Sequence, residues 1–177
     1  MKLLCHILSN IHINYESFHQ NISEKMMNLF TLIIAMAVLL TLASAMEIKH
    51  FHDCGSQTGV IKRIDISPCS MEPCTLKKGS NSTISIEFQS KIFVSSGVVS
   101  VHGIKWKYPA PFPLDDSDLC HGIQSGCPLK PGSTSLYSKS VYVRPYFPSL
   151  AIVIRFELMD QNSKDLICVE FPSEISN

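Results

Sequence analysis

The chain has no surplus charge of either sign: 15 Lys and Arg stand against 15 Asp and Glu. Without a basic excess, no counterion-release term draws it onto nucleic acid. It also lacks a run long enough to span a bilayer. Its most apolar stretch, residues 29–42 (LFTLIIAMAVLLTL), has 14 residues, where crossing takes about 20. There is no GxSxG, HExxH, GxGxxG or phosphate-binding loop, so no motif supports hydrolysis, zinc-dependent proteolysis or nucleotide chemistry. Past residue 45 no stretch carries the 3.6-residue apolar period of an amphipathic helix.

What is present begins with an export signal. The apolar run follows Lys25 and ends at Ala43-Ser44-Ala45, an A-x-A cleavage site, as in a secretory leader. Cleavage after Ala45 divides the chain into a leader, 1–45, and a working domain, 46–177. The signal would start more naturally at Met26 or Met27, and Cys5, His6, His12 and His19 are absent from the working protein on either account. Loss of Lys2, Lys25, Glu16 and Glu24 with the leader keeps the charge balanced. A length of 132 residues suits one domain that buries a core of its own. A soluble monomer is expected, secreted or delivered to the lysosomal lumen.

Six of the seven cysteines lie in that domain, and the oxidising export route makes them candidates for three disulfides. Six cysteines allow 15 pairings. Spacing favours Cys69 with Cys74 around Ser-Met-Glu-Pro and Cys120 with Cys127 around His-Gly-Ile-Gln-Ser-Gly, which leaves Cys54 with Cys168. A rival is a zinc site from Cys69, Cys74, Cys120, His121 and Cys127, but the spacings are unlike those of known zinc motifs. No metal and no cofactor are expected.

Short apolar segments separated by Gly, Pro, Ser and Asn predict an all-β domain. Strands are expected over 59–66, 82–89, 97–106, 135–143, 150–159 and 166–171. In Ser82–Gln89, Ile84, Ile86 and Phe88 share one face while Ser85 and Glu87 take the other, the period of a half-buried strand. Ile152, Ile154, Phe156 and Leu158 alternate in the same way with Arg155 and Glu157. Six such segments suit a two-sheet sandwich. Prolines cluster in Tyr108–Pro113 (YPAPFP) and in residues 144–148 (RPYFP). Proline cannot donate to a ladder, so both clusters are expected to be loops or strand ends. Their aromatics either cap the core or line an opening. Asn81-Ser82-Thr83 is an exposed glycosylation sequon. Of the histidines that remain, His102 among apolar neighbours is expected to be a hydrogen-bonded structural residue, and no catalytic residue is assigned.

The succession Asp53-Cys54-Gly55-Ser56, Gly59-Val60-Ile61-Lys62, Ser67-Pro68-Cys69, Pro73-Cys74 and Lys78-Gly79 resembles the MD-2-related lipid-recognition (ML) family. The resemblance continues through Val101-His102-Gly103, Pro109–Pro113, Cys120, Cys127-Pro128, Phe147-Pro148-Ser149 and Cys168–Pro172, and covers residues 51 to 175. It implies an immunoglobulin-like β-sandwich of two antiparallel sheets, with cysteines paired first to sixth, second to third and fourth to fifth. It also implies a non-enzymatic carrier that holds a sterol or another lipid between its sheets. Phe112, Val143 and Phe147 match the family's lipid-contacting positions. The implied partners are a hydrophobic lipid, a membrane surface met transiently and a receiving membrane receptor.

One segment departs from the family. Lys105-Trp106-Lys107-Tyr108 stands where sterol-transferring members carry small and aliphatic residues, so Trp106 and Tyr108 either touch lipid at the entrance or form an exposed strand end. Other members of the family carry fatty acids or small hydrophobic signals, or present bacterial lipid in innate immunity. Outside the family, a disulfide-rich structural or adhesion module with a filled core is the competing class.

Overall fold

Alternation of apolar and polar residues builds most of the fold. In the computed structural model, which describes residues 45–177, Ile84, Ile86 and Phe88 point into the core while the alternate residues Thr83, Ser85, Glu87 and Gln89 are more exposed. The expected leader, with its apolar run 29–42, lies outside the described residues. Ten strands and one helical turn follow in order: β1 (Met46–Glu47), β2 (His52–Asp53), β3 (Gly59–Ser67), β4 (Cys74–Lys77), β5 (Asn81–Ser90), β6 (Gly97–Lys105), β7 (Tyr108–Pro111), α1 (Leu119–Gly122), β8 (Thr134–Tyr142), β9 (Leu150–Asp160) and β10 (Asp165–Ser176). One sheet has the order β1-β3-β5-β8; the other runs β2-β10-β9-β6-β7, with β4 also on β10. Pairing is antiparallel throughout except for β4, which lies parallel to β10. The architecture is the all-β, two-sheet sandwich that the sequence predicts.

All three disulfides join the cysteines that spacing and family resemblance paired: Cys54–Cys168, Cys69–Cys74 and Cys120–Cys127. Each sulfur of the rival zinc set is thereby consumed in a covalent bond. Cys54–Cys168 fastens β2 to β10 beside the Asp53–Val169 register pair. Cys69–Cys74 closes the crossing from β3 in one sheet to β4 in the other. Cys120–Cys127 closes the loop that contains α1, where Asp118 caps the turn by accepting a hydrogen bond from the Cys120 N–H at 2.8 Å. Gly122 is required there, because a Cβ would collide with the Tyr137 ring.

Two readings change. Tyr108–Pro111, expected to be a loop or a strand end, is a four-residue strand of its own, paired with β6 from Lys105–Tyr108 to His102–Pro111. It lies at the outer edge of its sheet, where the missing proline N–H groups interrupt no further ladder. The last strand runs on past Phe171 to Ser176. Pro172 falls between the stretch of β10 paired with β2 and the stretch paired with β4, so no neighbour on that side requires its N–H.

One carboxylate opposes the fold at neutral pH. Burial, and then the nearby Glu157, raise the Asp165 pKa above its ordinary value. A folded-state pKa above the unfolded one means that ionisation favours unfolding, so the penalty is present at neutral pH and disappears as pH falls below the carboxylate range. Asp165→Asn is therefore expected to raise the melting temperature at pH 7, an advantage that shrinks toward zero near pH 3. Thermal unfolding followed by circular dichroism at the two pH values checks this; an equal shift at both would remove Asp165 ionisation as the cause.

Candidate functional site

An apolar slot opens between the sheets at one end of the sandwich. From the first sheet and its flanks it is lined by Ile66, Ser82, Thr83, Ile84, Val141 and Val143. The other wall is Leu76, Val101, Phe112, Ile154, Phe156 and Phe171. The pleat explains the convergence. Ser82 pairs with Val141 across β5 and β8, so their side chains share the inner face; Val101 and Phe156 are register partners in the opposite sheet. The cavity volume is about 40 Å³, roughly the space of one water, whereas pockets for lipid-sized ligands run to ~300–1,000 Å³.

Phe112 lines the slot, and Phe147, which is not part of its wall, packs on Phe112 from outside. Phe112 follows β7 directly, donates its backbone N–H to the Val101 carbonyl at 2.8 Å and is buried. Its ring lies 4.7 Å from that of Phe147, tilted by 53°. Phe147 is half-buried in the β8–β9 connection and meets Tyr146 edge-on at 5.2 Å. Val143 is fully buried, and its backbone bonds Ser80 and Gly79. The structure thus brings Phe112, Val143 and Phe147 to one end of the sandwich.

Trp106 and Tyr108 stand elsewhere. They are 83% and 78% exposed, at the tip of the β6–β7 hairpin, and neither lines the slot. The tip is a two-residue turn in which Trp106 and Lys107 both take positive φ, 50° and 72°. Hairpins of this kind are normally built from Asn and Gly because side chains there are strained. Lys105 donates to the Ala151 carbonyl at 2.8 Å and lies 5.6 Å over the Trp106 ring. Tyr146, which packs on Phe147, is likewise 73% exposed.

A strap of residues carries Phe112 across the sheet edges. Asp115 faces Arg144 at 3.7 Å and Asp116 faces Lys139 at 3.3 Å. A polar groove of about 230 Å³ runs beneath the strap and shares Val141 with the slot. The Asp118 backbone N–H, with further help from His121 and Lys139, holds the Asp116 carboxyl below its ordinary range. A lowered folded-state pKa keeps the carboxylate ionised as pH falls through the usual carboxylate window, so the Lys139 contact persists in mildly acidic surroundings.

The other polar groups offer no catalysis. Ser100, His102 and Glu157 cluster on the outer face of the second sheet, but Ser100 Oγ at 3.2 Å and Glu157 at 3.5 Å both approach the same His102 nitrogen, Nδ1. A hydrolytic triad needs the nucleophile and the acid on opposite ring nitrogens. His102 is hydrogen-bonded, as the sequence predicts for a structural residue. Among the described residues no group of His, Cys, Asp and Glu could hold a metal ion, and no helix is long and apolar enough to cross a membrane. Asn81 is exposed as the first residue of β5.

Six-cysteine connectivity, a two-sheet sandwich and an apolar slot between its sheets define a class of lipid-holding modules, and comparison with known proteins assigns the chain within it. The ML domain model matches residues 49–175. The chain is 39% identical over 128 residues to the NPC intracellular cholesterol transporter 2 of Danio rerio, covering 72% of this chain and 85% of that protein. It is 36% identical over 146 residues to the protein of the same name from Bos taurus, covering 81% and 97%. Among solved structures it is similar to a Niemann-Pick type C2 protein from Japanese carpenter ant, with a TM-score of 0.67 and 29% identity over 72% of this chain and 99% of that one. The chain belongs to the ML-domain family, and the relatives are named as transporters, not enzymes.

Sequence reasoning missed most of the wall. Ile66, Val101, Ile154 and Phe171 fall in expected strands as ordinary core, Leu76 lies in β4, where no strand was expected, and nothing local distinguishes a slot wall from a filled interior. Ser82, read as part of an exposed sequon, is buried in phase with Ile84, Ile86 and Phe88; of the three sequon residues Asn81 is the exposed one.

Proposed function

We propose that this protein is a carrier that holds a sterol or similarly rigid lipid between its sheets and passes it to a membrane or a membrane receptor. It works as a monomer in secretions or in the lysosomal lumen after removal of residues 1–45, with a glycan at Asn81. The observation that carries the reading is the slot itself, walled by apolar side chains of both sheets, among them Phe112, which is backed by Phe147. Relatives named cholesterol transporters support sterol as the cargo. The driving force is hydrophobic: each ~100 Å² of lipid surface removed from water contributes about 2.5 kcal/mol. Since the slot holds only about 40 Å³ when closed, entry requires the two aromatics to move outward and the sheets to part. Trp106, with Lys105 and Lys107 beside it, is placed to enter the interface of a membrane bearing anionic headgroups, where an indole ring and lysines are both favoured.

The test is a titration of the delipidated, glycosylated domain with a fluorescent sterol, followed by competition. Saturable binding displaced by cholesterol supports the sterol carrier. Displacement by oleic acid alone would replace it with a fatty-acid carrier, and no binding by either probe, with no lipid released on organic extraction, would favour a filled-core module.

A further inference from the structure

On the outer face of the first sheet an exposed aromatic ring stands beside the glycosylation sequon. Asn81 opens β5 and is exposed, and by the pleat its side chain leaves the sheet on the face opposite to the buried Ser82. Its register partner is Tyr142, the last residue of β8. Directly opposed residues share a face, with Cβ atoms ~5 Å apart. Tyr142 is 42% exposed. The next register pairs on the same face are Thr83 with Ser140 and Ser85 with Ser138, the last two with hydroxyls 3.0 Å apart. Side chains this small leave the ring uncrowded along the strands.

We propose that Tyr142 is the platform for the glycan of Asn81: the first N-acetylglucosamine lies face-on against the phenol ring, which holds the sugar chain to the outer face of the first sheet. The inference rests on the glycan reading and is independent of the cargo. Both side chains stand roughly perpendicular to the sheet, so a sugar joined to the Asn81 amide nitrogen starts at the height of the ring. A β-linked N-acetylglucosamine carries all its ring substituents equatorially, and the C–H bonds of C1, C3 and C5 therefore form one apolar face. Those hydrogens bear slight positive charge and meet the electron-rich face of the aromatic, while both apolar faces leave water. The anchored glycan extends over the outer face, away from the slot, which lies on the inner one.

The experiment compares domains secreted from glycosylating cells: wild type, Asn81→Gln, Tyr142→Ser and the two substitutions together. Intact mass first establishes whether Asn81 is modified. The wild type is expected to melt about 3 °C above Asn81→Gln, the shift given by one good cross-strand contact in a domain of this size. With Tyr142→Ser the glycan is expected to give no gain, and Tyr142→Phe is expected to keep it, because the ring face and not the hydroxyl makes the contact. Wild type trimmed by endoglycosidase to its first N-acetylglucosamine is expected to retain the gain and to show that sugar's ring protons shifted upfield in the NMR spectrum. An equal gain with and without the ring would overturn the proposal, as would no gain in the wild type or unshifted sugar protons. An unmodified Asn81 would instead refute the glycan itself, and the platform with it.

Discussion

Replacing Cys54 and Cys168 together by serine is expected to lower the free energy of unfolding by about 4 kcal/mol. The bridge spans 114 positions. In the chain-entropy model a loop of this size restricts the unfolded state by about 4 to 5 kcal/mol, against roughly 2 to 3 for the short loops at Cys69–Cys74 and Cys120–Cys127. Small domains have only about 5 to 15 kcal/mol in total, so the variant should lose much of its secreted yield. The native structure loses little else, because β2 is two exposed residues and β10 keeps its long ladder with β9. Urea unfolding of the two variants side by side checks the ranking. If the Cys69→Ser/Cys74→Ser variant proved the less stable, the long bridge would not be the main staple.

The second large effect concerns binding. Phe147→Ala is expected to weaken sterol affinity by ten- to a hundredfold with a small change in melting temperature. Phe147 sits in a connection rather than a strand and packs on Phe112 at 4.7 Å. Its removal takes an aromatic pair worth about 0.5–1.5 kcal/mol beyond burial, together with part of the surface that would cover the cargo. Trp106→Ser is expected to behave oppositely. Equilibrium affinity stays the same because the ring lies outside the slot, while transfer of sterol to vesicles containing anionic lipid slows. Equilibrium titration and a vesicle-transfer time course on both variants separate the two roles. Normal affinity in Phe147→Ala would remove it from the site, and unchanged transfer in Trp106→Ser would leave the hairpin tip without a membrane role.

Long strands were readable because a period of two survives without context. The inner faces of β5 and β9 appear directly in Ile84-Ile86-Phe88 and Ile154-Phe156-Leu158. The elements that escaped, β1, β2, β4, β7 and the turn α1, are two to four residues long, too short to display a period. Tyr108–Pro111 was hidden further by prolines whose edge position depends on the whole sheet. Phe112, which lines the slot, and Phe147, which packs on it, stand in proline-rich segments that look unlike core. The depths of the slot were not readable, since Val101 and Ile154 follow the same alternation whether the space before them is filled or open.

The placement of the covalent links governs how the molecule can deform. Cys69–Cys74 binds the β3–β4 crossing at one margin of the two sheets, like the spine of a book. At the far end of the pages, the loop stapled by Cys120–Cys127 touches both covers: Val99 bonds Ser117, Gln124 bonds Leu136, and Val98 and Ile123 form bridges with Asp118 and Tyr137. Along the remaining fore-edge the named links are non-covalent: Asp115–Arg144, Asp116–Lys139 and the Phe112–Phe147 stack. At that corner three non-covalent contacts stand where the other margins have a disulfide, so separation of the covers is least opposed there.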